Sequence, residues 1–149
     1  MQAIYHVQIT DQALRKSFSQ RALAVITAAN LGQDSLRGQI GHPEYHFDDN
    51  NFLQGTAYIR LQRQLIHQAL EAQTPEPAWQ AFGRLTHGAQ DFYAHSNYVR
   101  LWFERQQQLV SAPQVETIEP LDQELLLHPG LVSGRIYLPW EILSYIPLL

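Results

Sequence analysis

The segment His87-Gly-Ala-Gln-Asp91-Phe-Tyr-Ala-His95 sets three metal-capable side chains four residues apart. On an α-helix such positions are surface neighbours, so all three project from one flank. At 1.5 Å rise per residue, His87 and His95 are about 12 Å apart along the axis, too far to share one ion. Asp91 lies midway and has two oxygens, which suits a carboxylate bridging cations held from either side. Alone, a His87–Asp91 pair is an ordinary hydrogen-bonded pair. The third member, and a flank of Gly83, Gly88 and Ala94 where a solvated helix would carry Lys and Glu, turn the reading toward a polynuclear metal site facing a cavity.

The seven histidines are not equivalent. His46 belongs to His46-Phe-Asp-Asp49, with Asp48 as a nearby carboxylate; the same run reads equally as a helix start, where acids are favoured. His6 precedes the first capped segment and reads alone as an exposed residue. Asp34 follows Gly32 and reads alone as the end of a turn. His42, His67 and His128 have no comparable context, and His67 is expected at the surface. The chain has no cysteine, so any ion must use nitrogen and oxygen donors, which suits zinc and, less tightly, manganese or iron.

Helical periodicity dominates the elements that must position these groups. Thr10 is a candidate cap for a short helix through Leu14, and Ser19 for a helix over Gln20 to Leu31 that stops at Gly32. A loop over Gln33 to Asp49 is long enough to suggest a functional role. The next helix is expected over Asn51 to Gln73, with Leu53, Ala57, Leu61, Leu65 and Ala69, together with Phe52, Ile59, Ile66 and Leu70, on its apolar side. The motif helix is expected over Ala78 to Gln106, with Phe82, Leu85, Ala89, Phe92, Val99 and Phe103 as a core stripe. Leu121 to Leu127 reads as a short helix, Pro129-Gly130 as a turn, and the apolar tail Ile136 to Leu149 either as a segment packed on the core or as a point of truncation.

At 149 residues, 45% of them hydrophobic, the expectation is one all-α domain with a real core. The net charge of −4 argues against strong nucleic-acid binding. With no signal peptide or membrane span evident, a cytoplasmic location is the default expectation.

The segment Leu85-Thr-His-Gly-Ala-Gln-Asp-Phe-Tyr-Ala-His-Ser-Asn-Tyr-Val99 resembles the signature of the Het-C heterokaryon-incompatibility family, and His46-Phe-Asp-Asp-Asn-Asn-Phe52 resembles its His-Phe-Asp segment. That family is similar to the zinc-dependent phospholipase C and single-strand nuclease superfamily. The resemblance extends over residues 6–99 and implies an all-α fold of the phospholipase C type with a central metal-binding helix. It implies a ligand set of Asp34, His46, His87 and Asp91 for one zinc, Asp91 and His6 for a second, and His95 for a third. In the superfamily the free amino terminus is also a ligand; here Met1 stands five residues before His6, a separation expected to keep its amine out of reach. A further downstream His–carboxylate pair is missing, with only Glu104 or His128 to substitute, so two or three ions are expected.

On this resemblance the leading expectation is a metal-dependent phosphodiesterase. Its metal-activated water would attack a phosphodiester or phospholipid, with Asp34 or Asp48 accepting the proton. The alternative is a non-catalytic, metal-stabilised helical module that binds a partner or contacts a membrane peripherally.

Overall fold

In the computed structural model, residues 1–109 and 122–134 are described, and the side chains of 107–109 are left aside. Among these residues the architecture is all-α. Among the described residues no helix is long and apolar enough to cross a membrane. The expected short helix at 121–127 appears as Gln123–Leu126, capped by Asp122. Leu121 and the tail Ile136 to Leu149 lie outside the described residues.

Helix α1 spans Ala3–Leu14 and so starts well before the expected cap. Thr10 is buried inside it, where its hydroxyl accepts from Gln90 Nε2 at 3.1 Å. Helix α2 spans Gln20–Leu31, with Ser19 accepting from Ala22 N. Its end at Gly32 keeps a right-handed conformation and runs into a 3-10 turn, Gly32–Asp34. The expected loop is built from short pieces: α3 (Leu36–Gln39), α4 (Pro43–His46) and a 3-10 turn, Asp48–Asn50. Helix α5 spans Phe52–Glu71 and α6 spans Pro75–His95. The motif helix does not continue to Gln106. Ser96 is extended, its hydroxyl donating to Phe92 O, and α7 restarts at Tyr98–Leu109, with α8 at Gln123–Leu126. Ser96 offers the backbone such local bonds and Asn97 ties to Gly130 and Val132 instead, and the helix is interrupted there.

Helix α6 is the centre of the domain, flanked by α2 and α5. The face it buries is the small, polar one: Gly83, His87, Gly88 and Asp91. Of the expected core stripe, Phe92 is buried, Phe82 and Leu85 are half-buried, and Ala89 and Phe103 are exposed. Small residues let the neighbouring backbones approach, and Gly83 shows how closely: a Cβ there would collide with the carbonyl of Ile26 on α2. Aromatic packing closes the other end, where Phe47, Phe92, Tyr98, Leu101, Trp102 and Leu125 form the main apolar cluster.

Helix α5 turns outward from the expected orientation in part: Leu53, Leu61, Leu65 and Leu70 face solvent, while Ala69 of the expected side is buried together with Gly55, Tyr58 and Gln62. Gly55 sits against the Phe47 ring, and the polar ends of Tyr58 and Gln62 find hydrogen bonds, so this face packs without stranded polar groups. An apolar stripe need not be the buried one.

Replacing Gly83 by alanine should destabilise the fold by about 1–3 kcal/mol through overpacking. Replacing Gly32, which has right-handed φ and open space around it, should stabilise by about 0.4–1 kcal/mol. Urea denaturation of the two variants checks the contrast; equal effects would contradict the close α2–α6 approach.

Candidate metal centre

Asp91, fully buried on α6, collects four histidines from three segments. Its Oδ2 lies 2.9 Å from both His46 Nδ1 and His87 Nε2. Its Oδ1 lies 3.3 Å from His6 Nε2 and 3.4 Å from His95 Nε2. Asp34 approaches from the end of α2, with Oδ1 at 3.7 Å from His87 Nε2 and 4.0 Å from His46 Nδ1, and Oδ2 at 3.7 Å from His6 Nε2. Donor atoms of His6, Asp34, His87 and Asp91 all lie within 4.8 Å of one another, so this group could hold a metal ion. The six residues singled out as ligands from the sequence are thus brought together.

The backbone is bent to achieve this. Phe47 has φ 57°, a left-handed conformation that costs a non-glycine residue roughly 1–2 kcal/mol. The corner it makes turns both His46 and Asp48 inward, and the Phe47 ring is held between Phe52 and Phe92. Gly38 contributes differently. A Cβ there would strike the Gln33 carbonyl, and its own carbonyl meets His46 Nε2 at 3.3 Å.

Three imidazoles have their outer nitrogen tied to an acceptor. His6 Nδ1 meets Gln90 Oε1 at 2.5 Å, His46 Nε2 meets Gly38 O, and His95 Nδ1 meets Asp48 Oδ1 at 2.9 Å. An acceptor at one nitrogen fixes the hydrogen there and leaves the other nitrogen a lone pair. In the neutral rings those lone pairs point at Asp91. The inward His6 Nε2 is buried without a hydrogen bond, as is His87 Nδ1. Gln90 itself is held by Asn30 Nδ2 at 3.2 Å and donates to Thr10, and Asn30 also donates to Thr86. From the sequence Thr10 reads only as a helix cap, and Gln90 and Thr86 are not singled out. The available signal was Asn30, a polar residue near the end of a largely apolar helix.

Burial works against the Asp91 anion, but the imidazoles gathered around it, His46 foremost, outweigh it and hold the carboxyl well below the usual range. Burial also works against the His46 cation, yet the bond and charge of Asp91, with Asp34 and Asp48 behind, raise its pKa. For His87 burial wins, helped by neighbouring His6, and its pKa falls.

Three expectations change. The Met1 amine reaches the site, 3.1 Å from Asp91 Oδ1 and 2.6 Å from His95 Nε2, because α1 begins at Ala3 and carries the first residues alongside. Glu104 is not a ligand; it is exposed and pairs with Arg100. His128 is spent in its own turn, accepting from Gly130 N.

In metal-free protein, Asp91→Asn should cost about 3–5 kcal/mol, as expected for removing one partner of a buried charged pair. The folded pKa of Asp91 is depressed, so this stabilisation is fully present above about pH 4 and shrinks as pH falls further. Denaturant midpoints of both proteins across pH 3–7 measure it; a pH-independent gap would contradict an ionised Asp91.

A family model described as the VWA7 N-terminal domain matches residues 1–122. The von Willebrand factor A domain-containing protein 7 of mouse is 37% identical over 120 residues, covering 73% of this chain and 13% of the mouse protein. The rat protein of the same name is 39% identical over 82 residues, covering 54% of this chain and 9% of its own. The human one is 38% identical over a stretch of the same length. The chain thus spans a small fraction of the relatives it matches. No solved structure matches it. These matches overturn the Het-C and phospholipase C resemblance, and the phosphodiesterase expected from it, with Asp34 and Asp48 as proton acceptors, falls with that resemblance. The chain belongs to the VWA7 N-terminal domain family.

Proposed function

We propose that this chain is a metal-stabilised helical module, holding zinc among α1, the 34–48 segment and α6, and presenting a fixed surface to a partner. The observation that carries this is the inward His6 Nε2, buried and unbonded, facing carboxylate oxygens 3.3 and 3.7 Å away while Gln90 keeps the proton on the opposite nitrogen. A lone pair facing anionic oxygens is repulsive unless a cation stands between them. A proton would relieve one pair; a divalent ion would relieve the set.

The donor chemistry favours zinc. Tetrahedral zinc with bonds of about 2.1 Å brings its ligand atoms within roughly 3.4 Å of each other, and the separations among these donors run from 2.9 Å at Asp91 to 4.0 Å between His46 and Asp34. Imidazole-rich sets suit zinc better than magnesium or calcium. His87, His46, Asp34 and Asp91 Oδ2 would hold one ion. His6, His95 and Asp91 Oδ1 would serve a second, with Asp48 orienting His95 as outer carboxylates commonly do. Cross-linking of this kind couples metal binding to folding. The relatives are named for a von Willebrand factor A domain, and in such proteins this module would stand beside it as a rigid helical element.

Purified protein supplemented with zinc should retain at least one ion per chain by elemental analysis. Chelation should lower its melting temperature by about 10 °C or more, in line with several kcal/mol of lost stability. His87→Ala should abolish both retention and the chelator effect. Zero retained metal, or melting indifferent to chelator, would overturn the reading.

A further inference from the structure

An open cleft of about 570 Å³ lies between α5, α6 and the segment that carries the metal donors. Gln33 and Tyr45 line it, and they are the sequence neighbours of Asp34 and His46. The volume falls within the range of small-molecule sites. Nothing in the metal-centre reading uses it.

Its polar groups converge and are individually held. Arg84 donates through Nε to Gln62 Oε1 at 2.9 Å, and Gln62 is 4% exposed. That bond leaves the two terminal nitrogens of the guanidinium, the edge that grips an anion in a two-point contact, for another acceptor. Among the described residues Arg84 forms no ion pair, although it is half-buried. Tyr58 accepts from Gln33 Nε2 at 2.8 Å, which leaves its own hydroxyl hydrogen to donate. Burial raises the Tyr58 pKa further above neutrality, so the phenol remains a donor, and it lies near enough to Arg84 to feel its charge. Glu44, the acid on the cleft wall, is engaged by His42 Nδ1 at 3.0 Å.

Part of the wall is flat and apolar. Tyr45 stacks on Tyr58 with ring centroids 4.3 Å apart, and Ala57 and Leu61 complete the α5 side. Buried Gln33 and Gln62 are costly in a helical core unless bonded. Here their bonds aim one donor each, Tyr58 and Arg84, at the same space.

We infer that this cleft binds a small organic anion, a carboxylate or phosphate monoester on a flat apolar body, with its oxygens on Arg84 and Tyr58 and its body against Tyr45, Ala57 and Leu61. The inference is independent of whether zinc occupies the neighbouring centre.

The test is titration of the chain with benzoate, phenyl phosphate and benzyl alcohol, followed by calorimetry and by the ring resonances of Tyr45 and Tyr58. Saturable binding of at least one anion, at least tenfold tighter than benzyl alcohol, is expected; which anion binds tighter separates carboxylate from phosphate. Arg84→Met should weaken binding at least tenfold. Ala57→Trp, which fills the cleft from an exposed helix position, should abolish it with Arg84 intact, and this variant decides the matter if Arg84→Met does not fold. Absence of saturation, parity with benzyl alcohol, or binding that survives Ala57→Trp overturns the inference.

Discussion

One buried carboxylate organises this domain. Asp91 has no exposure to water, so its charge must be compensated by what the fold brings to it. The compensation comes from His6 on α1, His46 at the end of α4, and His87 and His95 on its own helix. No two of the first three lie close in sequence. Satisfying one side chain therefore fixes the mutual positions of the N-terminal helix, the irregular 32–51 segment and the central helix. Any ion held here would strengthen a convergence already written into the packing.

The central helix can serve this role because its buried face is narrow. Gly83 admits the α2 backbone, and Gly88 lies beneath Tyr45 and Phe47. A helix with leucines at these positions would have gained apolar area and lost the room in which the imidazoles meet. Aromatic packing is displaced to the end of the bundle instead, around Phe92, Tyr98 and Trp102. The domain thus separates its polar interior from its apolar one along the length of α6.

Much of the site was legible because it rests on local geometry. His87, Asp91 and His95 share a flank on any helix, and the side on which Gly83 and Gly88 lie is where neighbours can approach. The 33–49 stretch stood out by its length, and it does deliver Asp34, His46 and Asp48. What could not be read were the long-range choices. Periodicity identified a leucine stripe on α5, but not that Tyr58 and Gln62 would find partners and take the inner face. Thr10 has the type of a cap, and only its distant neighbour Gln90 shows why it is needed mid-helix. The family resemblance misled for a related reason: a short metal-ligand pattern constrains the coordination chemistry far more tightly than it constrains what the surrounding protein does.

The stitching of residues 131–134 bears on where this unit stops. The family match ends at residue 122, yet Asn50 exchanges two hydrogen bonds with Ser133, Asp49 N bonds Gly134 O, and Asn97 clasps Gly130 and Val132. Leu125 fills the aromatic cluster, while Arg105 grips Asp122 and Glu124. A version trimmed at the family boundary would strip the corner beside His46 and Asp48 of its outer brace. It would also uncover Trp102 and Tyr98. The physical perimeter of this fold therefore lies beyond the stretch by which its kinship is recognised.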